Sequence, residues 1–134
     1  MKRIPCALTV TGRQKRPDGL DEQVFEVSGA WSAQDDVIYL VYDEPEGAHV
    51  TLKFTPQRAV MLRSGAARME FVPGRETACA YATAAGVLPL EIRTTAIRCR
   101  FSEAGGSARL RYLLMQRGGV ISENEVHIRA RTVE

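Results

Sequence analysis

The chain has little of the chemistry that most metal-binding and catalytic proteins need. Its 134 residues include two histidines and three cysteines. The cysteines, Cys6, Cys79 and Cys99, are far apart, and no C-x-x-C pair indicates a zinc or redox centre. Each lies in an apolar alternating segment, where a buried free thiol is the usual case. Walker loops and G-x-G-x-x-G fingerprints are also missing. We therefore expect no metal and no cofactor.

Long hydrophobic runs are missing too. The longest apolar run, residues 37–42, is far short of the roughly 18 residues that span a bilayer. The N-terminal apolar stretch contains Pro5 and Thr9 and precedes no small-residue cleavage pattern, so it does not have the form of a signal peptide. The length suits one domain, 1–134, in which residues 1–20 supply an N-terminal strand and most of a polar loop, 13–21. We expect a soluble cytoplasmic protein without membrane contact.

Helical periodicity is almost absent, and alternation with a period of two recurs between clusters of Gly, Pro and Asp. This pattern predicts an all-β chain that folds as a sandwich or a barrel. The predicted strands are 4–11, 23–31, 37–43, 49–55, 59–64, 67–72, 76–83, 88–101, 108–116 and 120–132. In strand 88–101 the apolar residues change parity, which predicts a β-bulge near residues 93–95.

Three hairpins can be assigned a register from their turns. A two-residue turn at Gly65 and Ala66 would place Leu62 opposite Met69, Val60 opposite Phe71 and Arg63 opposite Arg68. A three-residue turn at residues 117–119 would place Leu110 opposite Val126, Ala108 opposite Ile128 and Arg111 opposite Glu125. A four-residue turn at residues 103–106 would place Phe101 opposite Ala108, Cys99 opposite Leu110 and Ile97 opposite Tyr112.

Several short segments of the chain resemble one bacterial family. They are Val37-Ile38-Tyr39-Leu40-Val41-Tyr42-Asp43-Glu44, the Arg63-Ser64-Gly65 turn, Phe71 followed by Gly74, and residues 86–95. Their order is similar to that in the YwiB-like group, whose members are uncharacterised lipocalin-like or calycin-like proteins. The resemblance implies a closed or nearly closed antiparallel meander barrel of about eight to ten strands in the cytoplasm. It carries over no catalytic residue.

Gly29-Ala30-Trp31 also spells the G-x-W of lipocalins, a two-letter match that chance produces often. We interpret Trp31 as a core residue or a plug at a strand end.

Nucleophilic catalysis would need a serine, cysteine or threonine beside a base. His49 and His127 lie in no known motif, and Ser64 lacks a G-x-S-x-G elbow. We expect His127 on the outer face of its strand, in solvent, and a structural role for Ser64. No catalytic residue is predicted.

Two sets of arginines are candidates for binding. Like charges opposed at Arg63 and Arg68 would weaken the sheet, so either Glu70 compensates them or an anion binds between them. A second set shares the face opposite Leu110 and forms a predicted basic surface patch. Its members are Arg98, Arg100, Arg109, Arg111, Arg129 and Arg131. Such a patch is either a solvated wall or a contact surface for an acidic protein or a nucleic acid.

Three functions follow from these patterns. The first is a non-catalytic barrel that binds a small apolar or amphipathic molecule, which can also be anionic. Its predicted ligand-binding residues are Arg63, Arg68, Ala78, Ala80, Ala82 and Tyr112; the alternative is that Cys79 and Tyr81 face inward and the alanines outward. The second is an interaction module that uses the basic surface patch. The third, which has least support, is an enzyme that acts on a small anion near Arg63 and Arg68.

Overall fold

The computed structural model describes residues 2–66 and 68–133, without the side chains of Ala82 and Thr83. Its ten strands are β1 (Ile4–Arg16), β2 (Gly19–Gln34), β3 (Val37–Asp43), β4 (His49–Phe54), β5 (Ala59–Arg63), β6 (Met69–Phe71), β7 (Glu76–Thr83), β8 (Gly86–Ser102), β9 (Gly105–Gln116) and β10 (Gly119–Thr132). Within the described residues there is no helix, and hence none that could cross a membrane. All ten predicted strands are present; the start of the sixth, at Ala67, lies outside the described residues.

The strands form one antiparallel sheet that curls into a nearly closed barrel. Their order is β6-β5-β4-β3-β2-β1-β10-β9-β8-β7, so strands that are adjacent in the sheet are also consecutive in the chain, except at the junction of β1 with β10. The two end strands, β6 and β7, meet where the Thr77 hydroxyl donates a hydrogen bond of 2.6 Å to the Glu70 carbonyl. The predicted meander barrel is confirmed.

The core is built from one side of every strand. Along β1, Cys6, Leu8 and Val10 are buried and alternate with more exposed residues, as period-two patterning requires. Across the barrel, the ring of Trp31 on β2 lies 5.2 Å from that of Phe101 on β8. Trp31 is 6% exposed, so its interpretation as a core residue is confirmed.

The predicted polar loop at residues 13–21 is wrong. β1 continues to Arg16 and pairs with β2 as far as Gly19, which leaves a tight turn at Pro17 and Asp18. The residues there are polar because this hairpin extends into solvent beyond the packed core, and polarity alone does not distinguish such a hairpin from a loop.

The pairing of β9 with β10 is as predicted, but a different turn produces it. Arg117 and Gly118 have φ values of 51° and 79°, which fit a two-residue type I′ turn. A β-bulge at Ile121 then shifts the register by one residue. Beyond the bulge, Leu110 lies opposite Val126, Ala108 opposite Ile128 and Arg111 opposite Glu125.

The pairing of β8 with β9 differs from the prediction by two residues. A two-residue turn at Glu103 and Ala104 places Cys99 opposite Ala108 and Ile97 opposite Leu110. Since the shift is even, the same side chains still face the core. The predicted bulge in β8 is confirmed, because the register shifts between Thr94 and Ala96.

The packing predicts very different costs for two adjacent substitutions on β9. Leu110 is 1% exposed, so Leu110→Asp should cost at least about 3 kcal/mol of unfolding free energy through lost packing and a buried charge. Arg111 is exposed and pairs with Glu125, so Arg111→Ala should cost under about 1 kcal/mol. Urea unfolding midpoints measure both. Equal losses would contradict the assigned faces.

Candidate functional site

A cavity of about 250 Å³ opens at one end of the barrel. This end carries the turns between β1 and β2, β3 and β4, β5 and β6, β7 and β8, and β9 and β10. The cavity wall includes Glu44, next to the β3–β4 turn, and Ala66, in the β5–β6 turn. The cavity is therefore the open mouth of the barrel interior.

The wall of the cavity is mainly apolar. Its apolar and aromatic residues are Val10, Phe25, Tyr42, Val50, Met61, Met69, Cys79, Tyr81, Tyr112 and Val126. They come from strands on all sides of the barrel, because each strand turns alternate side chains inward. This surface suits the apolar part of a small molecule.

An ion pair lies at the edge of the cavity. Nε of Arg63 donates a hydrogen bond of 2.6 Å to Oε1 of Glu44. Glu44 is the more enclosed partner, with 20% of its side chain exposed against 41% for Arg63. The hydrogen bond to Glu44 raises the pKa of Arg63, so the guanidinium group stays charged. The mouth thus combines an apolar wall with one paired charge of each sign.

Gly12 contributes space to the cavity. It occupies an inward position on β1, two residues after Val10, and it lines the cavity. A Cβ atom added at Gly12 would meet no heavy atom within 4 Å. Backbone approach therefore does not require glycine here, and the missing side chain leaves part of the interior unfilled.

Tyr112 separates the cavity from the packed core. Its ring lies 4.9 Å from that of Phe71, which is fully buried. Burial raises the pKa of Tyr112 to about 12, with smaller contributions from Tyr81 and Cys79. Burial also raises the pKa of Tyr42, and the Glu44 carboxylate raises it further. Both phenols are neutral at physiological pH and are available as hydrogen-bond donors.

The cavity includes two of the predicted ligand-binding residues, Arg63 and Tyr112. Ala78 and Ala80 are exposed, whereas Cys79 between them is 4% exposed. The inward orientation predicted for these alanines is therefore wrong, and the alternative orientation applies. Cys79 and Tyr81 line the cavity instead; Cys79 is buried, whereas Tyr81 is 48% exposed at the open end. The side chain of Ala82 lies outside the described part of the structure.

Arg63 and Arg68 do not form the predicted opposed pair. In the structure Met61 lies opposite Met69 and Val60 opposite Glu70, one residue away from the predicted register. The Ala66 N–H donates to the Arg63 carbonyl, and Gly65 has a φ of 77°, so Gly65 is the third residue of its turn rather than the second.

This register gives each arginine its own acid. Arg63 pairs with Glu44, and Arg68 pairs with Glu70 at 3.0 Å. Glu70 therefore compensates Arg68 rather than Arg63. The opposed arginines that the alternative of a bound anion requires are therefore not formed.

Sequence reasoning missed most of the cavity, including Gly12, Phe25, Tyr42, Glu44 and Met61. The alternation of β3 does indicate that Tyr42 faces inward with Leu40. No sequence signal, however, indicates that Glu44 meets Arg63, because the two residues are 19 positions apart and belong to different turns.

The polar side chains near the open end of the barrel give little support for a catalytic site. Nδ1 of His49 lies 2.7 Å from Oδ1 of Asp43, an arrangement that could orient a catalytic base. Ser64, however, accepts a hydrogen bond of 2.8 Å from the backbone N–H of His49, and all three side chains are exposed. Among the described residues no group of three His, Cys, Asp or Glu side chains could hold a metal ion.

The basic surface patch lies on the outer wall of β8, β9 and β10. Arg98 is opposite Arg109, and Arg109 is opposite His127, which has the predicted outward orientation. His127 is half-buried, and burial, followed by the charges of Arg109 and Arg129, lowers its pKa. The structure thus brings the six arginines onto one continuous face that is separate from the cavity.

The burial of Tyr112 predicts a loss of stability at high pH. Because its pKa rises from 10.0 to about 12 on folding, the unfolded chain loses the phenol proton first. The stabilisation is complete below pH 10 and disappears as pH rises toward 12. Tyr112→Phe should therefore flatten the fall in urea midpoint over this range. Tyr39→Phe, on the outer wall, is the control, and an equal effect of both changes would contradict the assignment.

The structure is similar to the crystal structure of the ywiB protein from Bacillus subtilis, with a TM-score of 0.81 and 21% identity over 98% of this chain and 94% of that one. At this identity the similarity shows the fold alone. A comparison with curated proteins gave no match. Residues 8–128 match the model of the family described as Domain of unknown function (DUF1934). Since the match covers most of its length, the chain belongs to this family of unknown function.

Proposed function

We propose that the chain is a non-catalytic barrel that binds one small amphipathic molecule in the cavity at its mouth. The observation that carries this proposal is the combination of an open 250 Å³ space, an apolar wall and an ion pair at the edge. An apolar cavity of about 150 Å³ is enough to bind benzene. The cavity therefore suits a ligand of about one or two rings, or a short alkyl chain.

The arrangement of the wall gives the ligand an orientation. Its apolar part would contact Val50, Met61, Met69 and Val126, where each buried CH₂ group contributes about 0.8 kcal/mol. Its polar head would lie at the edge, beside Arg63 and Glu44. Tyr42 and Tyr112 keep their protons at neutral pH and can donate hydrogen bonds inside the cavity.

An anionic head is favoured over a cationic one. Glu44 is the more enclosed partner of the ion pair, whereas Arg63 is more exposed and presents a planar fork with several donors. A carboxylate can accept from the terminal nitrogens of Arg63 while Nε stays on Glu44. A cation would have to reach the less accessible carboxylate.

Filling the cavity should abolish binding without unfolding the barrel. Gly12→Leu places a side chain into the space that lacks contacts within 4 Å, so stability should be retained or increased. Gly19→Leu is a matched control, since Gly19 also has no heavy atom within 4 Å of its added Cβ and does not line the cavity. Fluorescence titration with an apolar dye should show one-to-one binding for the wild type and Gly19→Leu, and none for Gly12→Leu. Absence of saturable wild-type binding would refute the proposal.

The charge preference can be tested at the ion pair. Arg63→Gln should weaken binding of a short-chain carboxylate by roughly tenfold, about 1.4 kcal/mol, and leave its uncharged amide analogue unaffected. Glu44→Gln should strengthen carboxylate binding, because it releases Arg63 from its partner. Arg93→Gln is the control, since Arg93 forms a 2.6 Å pair with Glu76 away from the cavity. Equal affinity for acid and amide in the wild type would contradict an anionic head.

A further inference from the structure

Four arginines of the outer wall have no acidic partner, whereas neighbouring arginines do. Arg109 and Arg111 share Glu125, at 3.9 Å in the case of Arg109. In the described part of the chain no ion pair involves Arg98, Arg100, Arg129 or Arg131. Unpaired positive charge on adjacent strands costs stability through repulsion. This part of the wall therefore keeps a net positive charge.

Three of these arginines surround a shallow floor. Ser107 on β9 lies directly between Arg100 on β8 and Arg129 on β10. In the next outward row, Gly105 lies between Ser102 and Arg131. Arg100 and Arg129 are two strands apart, about 10 Å, on the same face, so their long side chains can converge above the small residue between them.

The surface between these arginines is depressed because β9 approaches the backbones of β8 and β10 closely at its glycines. A Cβ added at Gly105 would overlap the backbone of Ala130, and one at Gly106 would overlap the backbone of Arg100. A groove of about 530 Å³ follows, lined by Arg100, Arg129, Ser102 and Ser107 among others. A second groove of about 430 Å³ continues from Arg129 and Arg131 across β1 to Glu26 on its far side.

We propose that the groove between Arg100, Arg129 and Arg131 binds a phosphate group. Three guanidinium forks can together supply more donors than a single carboxylate can accept, whereas a phosphate offers several oxygens and up to two charges. The hydroxyl group of Ser107 adds a short donor at the floor, whereas the Ser102 hydroxyl donates to the Gly105 carbonyl. Glu26 limits the positive region at the β2 side and directs the anion toward β8.

The phosphate has two possible sources, a phosphorylated small molecule and the backbone of a nucleic acid. Phe101 borders the groove, but its ring packs against Trp31 in the core and is not offered for base stacking. A nucleic acid would therefore be held through its backbone, with little dependence on sequence and a strong dependence on salt.

The test compares two double variants with equal loss of charge. Arg100→Ser/Arg129→Ser removes two forks from the groove. Arg58→Ser/Arg75→Ser removes two exposed arginines in turns elsewhere. The probes are a fluorescent nucleoside triphosphate and a labelled single-stranded DNA of mixed sequence, titrated at several salt concentrations. Circular dichroism verifies the fold of each variant.

The groove variant should bind either probe at least about tenfold more weakly, and the turn variant should bind like the wild type. If DNA is the source, the log–log salt slope should become shallower by about 1.4, since each lost phosphate contact in a single strand removes about 0.7. Arg100→Lys/Arg129→Lys should keep that slope but lower the affinity, because lysine lacks the fork.

The two probes distinguish the sources. Binding of the triphosphate alone supports the site with a small molecule as its ligand, and salt-dependent binding of DNA supports it with a nucleic acid. No binding of either probe at low salt, or equal weakening by both double variants, would overturn the proposal. Displacement of both probes by polyglutamate at equal charge would also overturn it, because the surface would then recognise carboxylates as well as phosphates.

Discussion

The whole barrel depends on strand register, because every strand supplies one interior with alternate side chains. A slip of one residue would exchange the buried and exposed faces of a strand. The β9–β10 hairpin shows how strongly this constrains the chain. Its two-residue turn, continued without interruption, would place Glu125 opposite Leu110 and turn its carboxylate into the core. The bulge at Ile121 instead places Val126 there and leaves Glu125 outside with Arg111. The bulge between Thr94 and Ala96 makes the same kind of correction in β8.

The cavity lies near the mouth of the barrel, where the inward set of β1 reaches Gly12 and lacks a side chain. Deep in the barrel, the side chains of Leu8, Leu40, Leu52, Phe54, Phe71 and Ile92 are fully buried. Toward the mouth, β1 reaches Gly12, and the hairpins continue beyond the core with fewer inward apolar groups. The Glu44–Arg63 pair then closes part of the opening with a contact that water can reach. The alternation of inward side chains therefore produces both the fold and most of the cavity wall, and the turns add Glu44 and Ala66.

The strands and the bulge in β8 could be predicted from the sequence because the alternation of apolar and polar residues follows the alternation of buried and exposed side chains. The wrong predictions concern the conformation of turns and the orientation of alanines. Gly65 can occupy either central position of a turn, and this choice moved the predicted register of β5 and β6 by one residue. The alternation of alanine with Cys79 and Tyr81 fits either orientation of β7, since alanine is compatible with both faces. The cavity itself depends on which strands meet when the sheet closes, and no local pattern in a single sequence contains that information.

Arginines have two different environments in this barrel, and the residues next to each arginine determine whether its charge is paired. Arg63 lies at the mouth, where the β3–β4 turn brings Glu44 within hydrogen-bond distance. Arg129 lies on the wall, where the residues opposite it are Thr9 and Ser107. The first arginine has its charge balanced within the fold, and the second does not. Glutamate in place of Thr9 or Ser107 would give Arg129 an acidic partner without disturbing the core, because both positions face outward. The uncompensated charge is therefore not a requirement of the barrel, and this is the physical argument behind the proposed phosphate site.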